Sequence, residues 1–402
     1  MKRPRLKHAY SLLYVILFTV LAFLFFTNDF GLLDLRKTSV VIGIGLDIED
    51  EEVVLTAQLA VPQPAENGEN TKFNVVTGNG ITVADALIDV NVKTGFYPKL
   101  EFCKLIVLGE SCFKRDVGDL LDYFYRSEYT GLTLNVAACE GNAGELINQQ
   151  FPCGNSATDV IDKLLSSEAQ ASGNVSVATL KDIGEKLFSP SESFYMPFLK
   201  DGILGGGGES GGGEGSGDES GGGGSGGGSG GQQCNESELT CNNCAVFTGG
   251  YCRGILSKEQ TLALNLIFSK VKHVFVRNGD EENERVLGLR SCKGGVDVKI
   301  ENGAPVLTFS FSAAAQIRDS VKDFSPKKIG DGWKDKNIYE NGEENIAAMF
   351  TSLFEFARET DCDFLGLKTQ IYKKDYSNFD RYAPTLYKDA TVKCVVKIRP
   401  AG

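Results

Sequence analysis

SVVIGIGLDIEDEEVVLTAQLAV, residues 39–61, holds two β-rich runs joined by the acidic segment Asp47 to Glu52. In the second run Val53, Leu55, Ala57, Leu59 and Val61 fall on one face of a strand, and Thr56 and Gln58 on the other. Period-two alternation of this kind predicts a half-buried β-hairpin, so the folded body opens with a sheet.

Downstream, helical and strand patterns alternate. Thr82-Val83-Ala84-Asp85 reads as a capping box, with Val83, Leu87 and Val90 at helical spacing and Gly95 placed to end the helix. Leu100 to Leu108 predicts a strand. Asp116 to Glu128 predicts a helix with the apolar stripe Val117, Leu120, Leu121 and Phe124, and Leu132, Leu134, Val136 and Ala138 alternate in the strand after it. Further on, Phe194 to Leu199 and the run opening at Ala245 read as strands, and Gly249-Gly250 marks a turn before Arg253 to Leu256. Ser257 and Gln260 form a second capping box, Asn302-Gly303 is a two-residue hairpin signal, and Glu343 to Glu359 predicts a long helix carrying Ile346, Phe350, Leu353 and Phe356 inward. Val392 to Ile398 closes the chain as a strand. A sheet with helices on one side makes the ending an α+β unit.

Upstream of the hairpin, residues Ala9 to Thr27 run without a charge. A helix of about 20 apolar residues spans the ~30 Å hydrocarbon core, so 9–27 is expected to be a transmembrane anchor. Lys2, Arg3, Arg5 and Lys7 precede it, which places the tip, residues 1–8, in the cytoplasm and everything after Asn28 outside. A cleaved signal peptide begins the same way, but Asn28 to Leu33 offers no small-x-small cleavage pattern.

Composition narrows the chemistry. The 402 residues carry a formal net charge of −12, which repels phosphate backbones and argues against nucleic-acid binding. His8 and His273 are the two histidines, so a Ser-His-Asp or multi-His zinc site would have to be built on His273 alone. Two carboxylates suffice for a glycosidase, however, so a surface-anchored carboxylate-dependent hydrolase stays open, as does a generic extracytoplasmic binding or scaffold protein.

Cys234, Cys241, Cys244 and Cys252 are the candidate thiol cluster. Their spacing lacks paired C-x2-C units, and three readings stand: a metal site, a disulfide such as Cys241 with Cys252, or free thiols. Cys103, Cys139 and Cys394 lie in apolar runs as small core residues. Gly43-Ile44-Gly45 lacks the third glycine and following helix of a dinucleotide fingerprint. Arg126 and Glu128 read as a solvated pair at a helix end, and the single tryptophan, Trp333, lies in a loop-like context. No catalytic or cofactor-binding residue is assigned, and no enzyme activity is expected.

Taken in order, several segments resemble the Ger(x)C family, the GerAC-like C subunits of spore germinant receptors. They are Gly43 to Asp47 followed by Ala57 to Pro62, then Gly80 to Leu87, Leu121 to Arg126, Cys244 to Phe247 leading to Gly254-Ile255-Leu256, and Asp361 to Leu367 with the terminal strand. The resemblance implies a three-domain mixed α and β ectodomain on the outer face of the spore inner membrane. It also implies work beside a multi-span A subunit and a transporter-like B subunit in nutrient-triggered germination; whether this subunit touches the nutrient stays open. Family members are usually lipoproteins, whereas no cysteine precedes Cys103 here, so a single-pass helix, N-in and C-out, stands in for the acyl chain. The expected division is 35–170 as an N-terminal domain, 171–290 as a middle domain holding a disordered Gly-rich loop at 203–233, and 291–402 as a C-terminal α+β domain.

Overall fold

The computed structural model describes residues 13–22, 38–60, 73–149, 151, 156–201, 239–278, 285–320 and 336–401. Trp333, Cys234 and the Gly-rich stretch 203–233 lie outside them. Residues 13–22 are helical and their apolar side chains are exposed. Residues 9–12 and 23–27 of the expected anchor are not described, and no helix among the described residues is long and apolar enough to cross a membrane.

The opening hairpin is β1 (Thr38–Glu49) and β2 (Glu52–Ala60), antiparallel with Ile44 opposite Ala57. Asp50 and Glu51 take φ of 47° and 73°, the left-handed pair of a tight two-residue hairpin turn. β3 (Phe73–Gly80), β4 (Tyr97–Lys99), β5 (Leu105–Leu108), β6 (Asn135–Cys139), β7 (Ser193–Asp201), β8 (Leu239–Thr248) and β9 (Tyr251–Leu256) complete the first sheet. Its order is β3-β2-β1-β5-β6-β7-β8-β9, with β4 also paired to β1. The run expected as one strand from Leu100 to Leu108 is split, because β4 and β5 both pair β1 and a turn separates them.

Expectation and structure part over the burial of the hairpin. Thr56 and Gln58, expected to face solvent, are 3% exposed. The Ala143–Asn148 and Ala157–Leu164 helices cover that second face, and Gln58 is satisfied there: Nε2 donates to the Ile147 carbonyl at 3.2 Å and Oε1 accepts from the Thr158 amide at 3.3 Å. The glycines of β1 let these helices approach. A Cβ on Gly45 would stand 2.8 Å from the Ala143 carbonyl oxygen, and one on Gly43 would overlap Thr158.

β7 and β8 pair antiparallel, Phe194 opposite Phe247, so the Gly-rich stretch connects two hydrogen-bonded neighbours of one sheet. A second sheet runs β10 (His273–Asn278), β11 (Arg285–Glu301), β12 (Ala304–Ser320) and β13 (Thr391–Pro400). The β11–β12 turn is Asn302-Gly303, at φ 52° and 80°. The Lys336–Thr360 helix packs on this sheet, with Phe350 buried against Phe309 and Phe311 at ring separations of 5.8 and 6.1 Å. Ile346, Phe350 and Leu353 are buried as expected, while Phe354 takes the fully buried place and Phe356 is half-buried. The core of the second sheet also takes in Tyr195, Cys244, Val246 and Leu256 from β7 to β9, which ties the two sheets into one hydrophobic contact.

Candidate functional site

Two of the sequence motifs come together on the first sheet. Thr82 caps the Val83–Thr94 helix, its hydroxyl accepting from the Asp85 amide while Asp85 accepts from the Thr82 amide, and Gly95 ends it at φ 71°. Asp116 caps the Val117–Arg126 helix by accepting from the Gly118 amide at 2.7 Å. Burial of Val117, Leu120, Leu121 and Phe124 turns Asp119, Asp122 and Arg126 outward. Between the two helices lies a groove of 660 Å³, floored by Val83, Leu120 and Tyr123 and flanked by Ile81, Tyr97 and Tyr129.

Its rim is acidic: Asp116, Asp119, Asp122 and Glu128 stand against Arg115 and Arg126. Arg126 Nε pairs with Asp122 at 2.6 Å, and Arg115 donates to the Glu51 carbonyl. The Arg126–Asp122 pair is solvent-exposed and of the kind that contributes under about 1 kcal/mol, so it is available for exchange with a partner. Burial, then the neighbouring Tyr97, pushes the Tyr123 hydroxyl above its ordinary pKa, so it stays a neutral donor. A second hollow of 420 Å³ shares Asp116, Asp119, Asp122 and Arg126 and continues to Phe188, which is 81% exposed. An apolar floor, exposed aromatics and an acidic rim suit the docking of a polypeptide.

The two buried carboxylates among the described residues serve as clasps. Asp47, within the early Gly43 to Asp47 motif, accepts from the Ala143 and Gly144 amides at 3.0 and 2.9 Å at the start of the Ala143–Asn148 helix. Asp363, in the Asp361 to Leu367 motif, accepts from the Leu367 and Lys368 amides at 2.8 Å each and from the Tyr387 hydroxyl at 2.5 Å. Burial holds both above the ordinary carboxylate range, offset in part by these hydrogen bonds. With their oxygens engaged by backbone amides, they hold elements together. Sequence reading placed Asp47 in an acidic turn and missed this role, because the amides it meets lie 96 and 97 residues away.

The three described thiols do not form one cluster: Cys241 and Cys244 are buried on the same face of the first sheet, in electrostatic range of each other, and Cys252 packs on the opposite side with Phe247 across from it in register. Cys241 lies six residues along β8 from that Phe247, roughly 20 Å at strand rise, whereas a disulfide needs Cα atoms within about 7 Å. The Cys241–Cys252 pairing is therefore excluded, and nine described cysteines are free. Among the described residues no group of three or more His, Cys, Asp or Glu is placed to hold a metal. His273 is exposed on β10, in the second sheet.

Comparisons with known proteins agree with this architecture. The family described as the spore germination protein N-terminal domain matches residues 33–201, and the spore germination B3/GerAC-like C-terminal family matches residues 242–399. Spore germination protein B3 of Bacillus subtilis (strain 168) is 22% identical over 364 residues, 86% of this chain and 85% of that one. The crystal structure of the GerBC protein shares the fold, with a TM-score of 0.50 at 13% identity over 90% of this chain and 97% of the other.

Proposed function

The chain belongs to the Ger(x)C family of spore germination proteins, and from that membership we propose that it is a non-catalytic, membrane-anchored subunit of a nutrient germinant receptor. In this reading it acts beside multi-span A and transporter-like B subunits at the spore inner membrane, with its folded body on the outer face.

The observation that carries the membrane part is a register. Thr38, the first described residue after the N-terminal apolar run, pairs with Tyr97 of β4. The ten residues Asn28 to Lys37 reach at most about 35 Å, so this end of the sheet stays near whatever surface holds the apolar run. Exposed aromatics gather there: Phe96 just before β4, Tyr97 within it, and Phe102, 59% exposed, in the turn before β5. Tyr97 is of the kind that favours the lipid headgroup boundary, and the two phenylalanines add apolar surface beside it. The acidic groove opens beside the same Tyr97, where a partner subunit in the same membrane can reach it.

Vesicle flotation tests the anchor. The full chain reconstituted into lipid vesicles should float with them through an alkaline carbonate wash, and deletion of residues 9–27 should release it. A full chain that washes off refutes the anchored reading.

A further inference from the structure

The Leu180–Leu187 helix and the turn after the Lys258–Ile267 helix each bring one lysine to Tyr195 of β7. Lys186 Nζ stands 3.5 Å from the centroid of the ring, over its face. Lys270 Nζ donates to the ring hydroxyl at 3.0 Å and lies 5.2 Å from the same centroid. Tyr195 is buried and stacks on Phe268, with centroids 6.2 Å apart. Both lysines are half-buried, and among the described residues neither makes an ion pair. Asp182, in electrostatic range, accepts instead from the Thr179 amide and hydroxyl at 3.0 and 2.7 Å.

Two ammonium groups withdrawn from water without an ion pair repel each other, and the cost falls when an anion enters or a proton leaves. Burial and then the Lys270 charge push Lys186 down to about 7, and Lys270 is lowered chiefly by its own burial.

Buried polar atoms gather at the same junction. Asn265 Oδ1 is buried without a hydrogen-bond partner among the described residues, and the Ser176 and Thr261 hydroxyls have the Cys244 thiol as their neighbour. Ser176 and Thr261 flank the Cys244 thiol, which lies in electrostatic range of both lysines. The Asn265 side-chain amide holds the Gly173 and Val175 carbonyls at 2.9 and 3.0 Å, and so fixes the 173–175 segment against the Lys258–Ile267 helix.

We propose that Lys186, over the Tyr195 ring, and Lys270, at its hydroxyl, bind one small oxyanion, a carboxylate or a phosphate, at the junction of the two sheets. Both Nζ atoms stand within 5.2 Å of one ring centroid, and in the proposed site a single oxyanion meets both with charge-assisted bonds of about 2.8 Å. The Tyr195 hydroxyl accepts from Lys270 and keeps its own proton to donate. Lys186 sits on a helix packed against the first sheet, and Lys270 leads into β10 of the second, so the anion draws the two together. The site stands on these residues alone and is independent of the membrane reading.

Thermal denaturation and titration calorimetry of the detergent-solubilised full chain at pH 6.5 test the site. The probes are inorganic phosphate and acetate, with sodium chloride at matched ionic strength. We expect a saturable rise in Tm with phosphate or acetate and not with chloride. Lys186→Gln and Lys270→Gln should each weaken the Kd at least tenfold, whereas Lys181→Gln, an exposed lysine of the same helix, should leave it unchanged. Should the glutamine variants fail to fold, Lys270→Arg keeps the charge and should keep the binding. No saturable response to either anion, a response equal to that of chloride, or binding unchanged in both glutamine variants overturns the proposal.

Discussion

The Tyr387 hydroxyl donates to Asp363 at 2.5 Å, and Asp363 in turn takes the first two amides of the Leu367–Lys374 helix. Its own amide donates to Ser193 Oγ at the start of β7. One buried residue thus joins the closing helices, through its carboxylate, to the first sheet, through its amide. A hydrogen bond to a charged group contributes about 2 kcal/mol, so Tyr387→Phe should lower unfolding stability by about that amount. Asp363→Ala should cost more, since it leaves the buried Leu367 amide and the Tyr387 hydroxyl without their acceptor. Urea denaturation checks both, and a Tyr387→Phe chain as stable as wild type contradicts the clasp.

Gly45 predicts a different kind of failure. Its neighbour is the Ala143 backbone, which cannot rotate away, so Gly45→Ala should destabilise by about 1–3 kcal/mol through overpacking. At Gly43 the obstacle is the Thr158 side chain, so Gly43→Ala should be partly rescued by Thr158→Ala. A double-mutant cycle measures this coupling, and strict additivity would show that Thr158 is not the obstacle.

Which features the sequence disclosed follows from the range of the interactions that make them. The capping boxes at Thr82 and Ser257 and the Asn302-Gly303 turn form exactly where the pattern puts them, because donor and acceptor lie within four residues. The burial of Thr56 and Gln58 was hidden, since the covering helices begin at Ala143 and Ala157 and alternation along one strand cannot report them. The groove was half legible: both helices were read from their stripes, but their meeting depends on β1 pairing β2 on one side and β5 on the other. The three described thiols divide by face: a register shift in the β7–β8 pair brings Cys241 and Cys244 to one side of the sheet, three residues apart, and Cys252 lies on the other, which spacing in sequence cannot report.

Lys186 sets a pH dependence. It is faced by Asp182 from its own helix, Lys270 from the turn before β10, Tyr195 from β7 and Cys244 from β8. Its pKa is about 7 when folded, against an ordinary 10.5, so the unfolded chain binds more protons between those values. The cost of burying the charge is therefore full below pH 7 and is relieved as pH rises through that window. Relative to Lys186→Met, wild type should gain stability from pH 6 to pH 9 in urea titrations. A difference that does not change with pH contradicts the depressed amine.

Thiol reactivity should divide by burial. Cys252 and Cys394 are half-buried, whereas Cys103 and Cys112 are buried with thiols pushed up to about 12. Alkylation of the native chain followed by peptide mapping should label Cys252 and Cys394 well before Cys103, Cys112, Cys241 and Cys244. Equal rates would mean that the strands carrying them open readily.

Spores tell most directly whether this protein serves germination from the membrane. Loss of optical density after nutrient addition is to be followed in spores lacking the gene, with complementation by the full chain or by a chain without residues 9–27. The account predicts blocked or delayed germination with sporulation intact, rescue by the full chain, and no rescue without the apolar run. Spores that lack the gene yet germinate at the wild-type rate would contradict it.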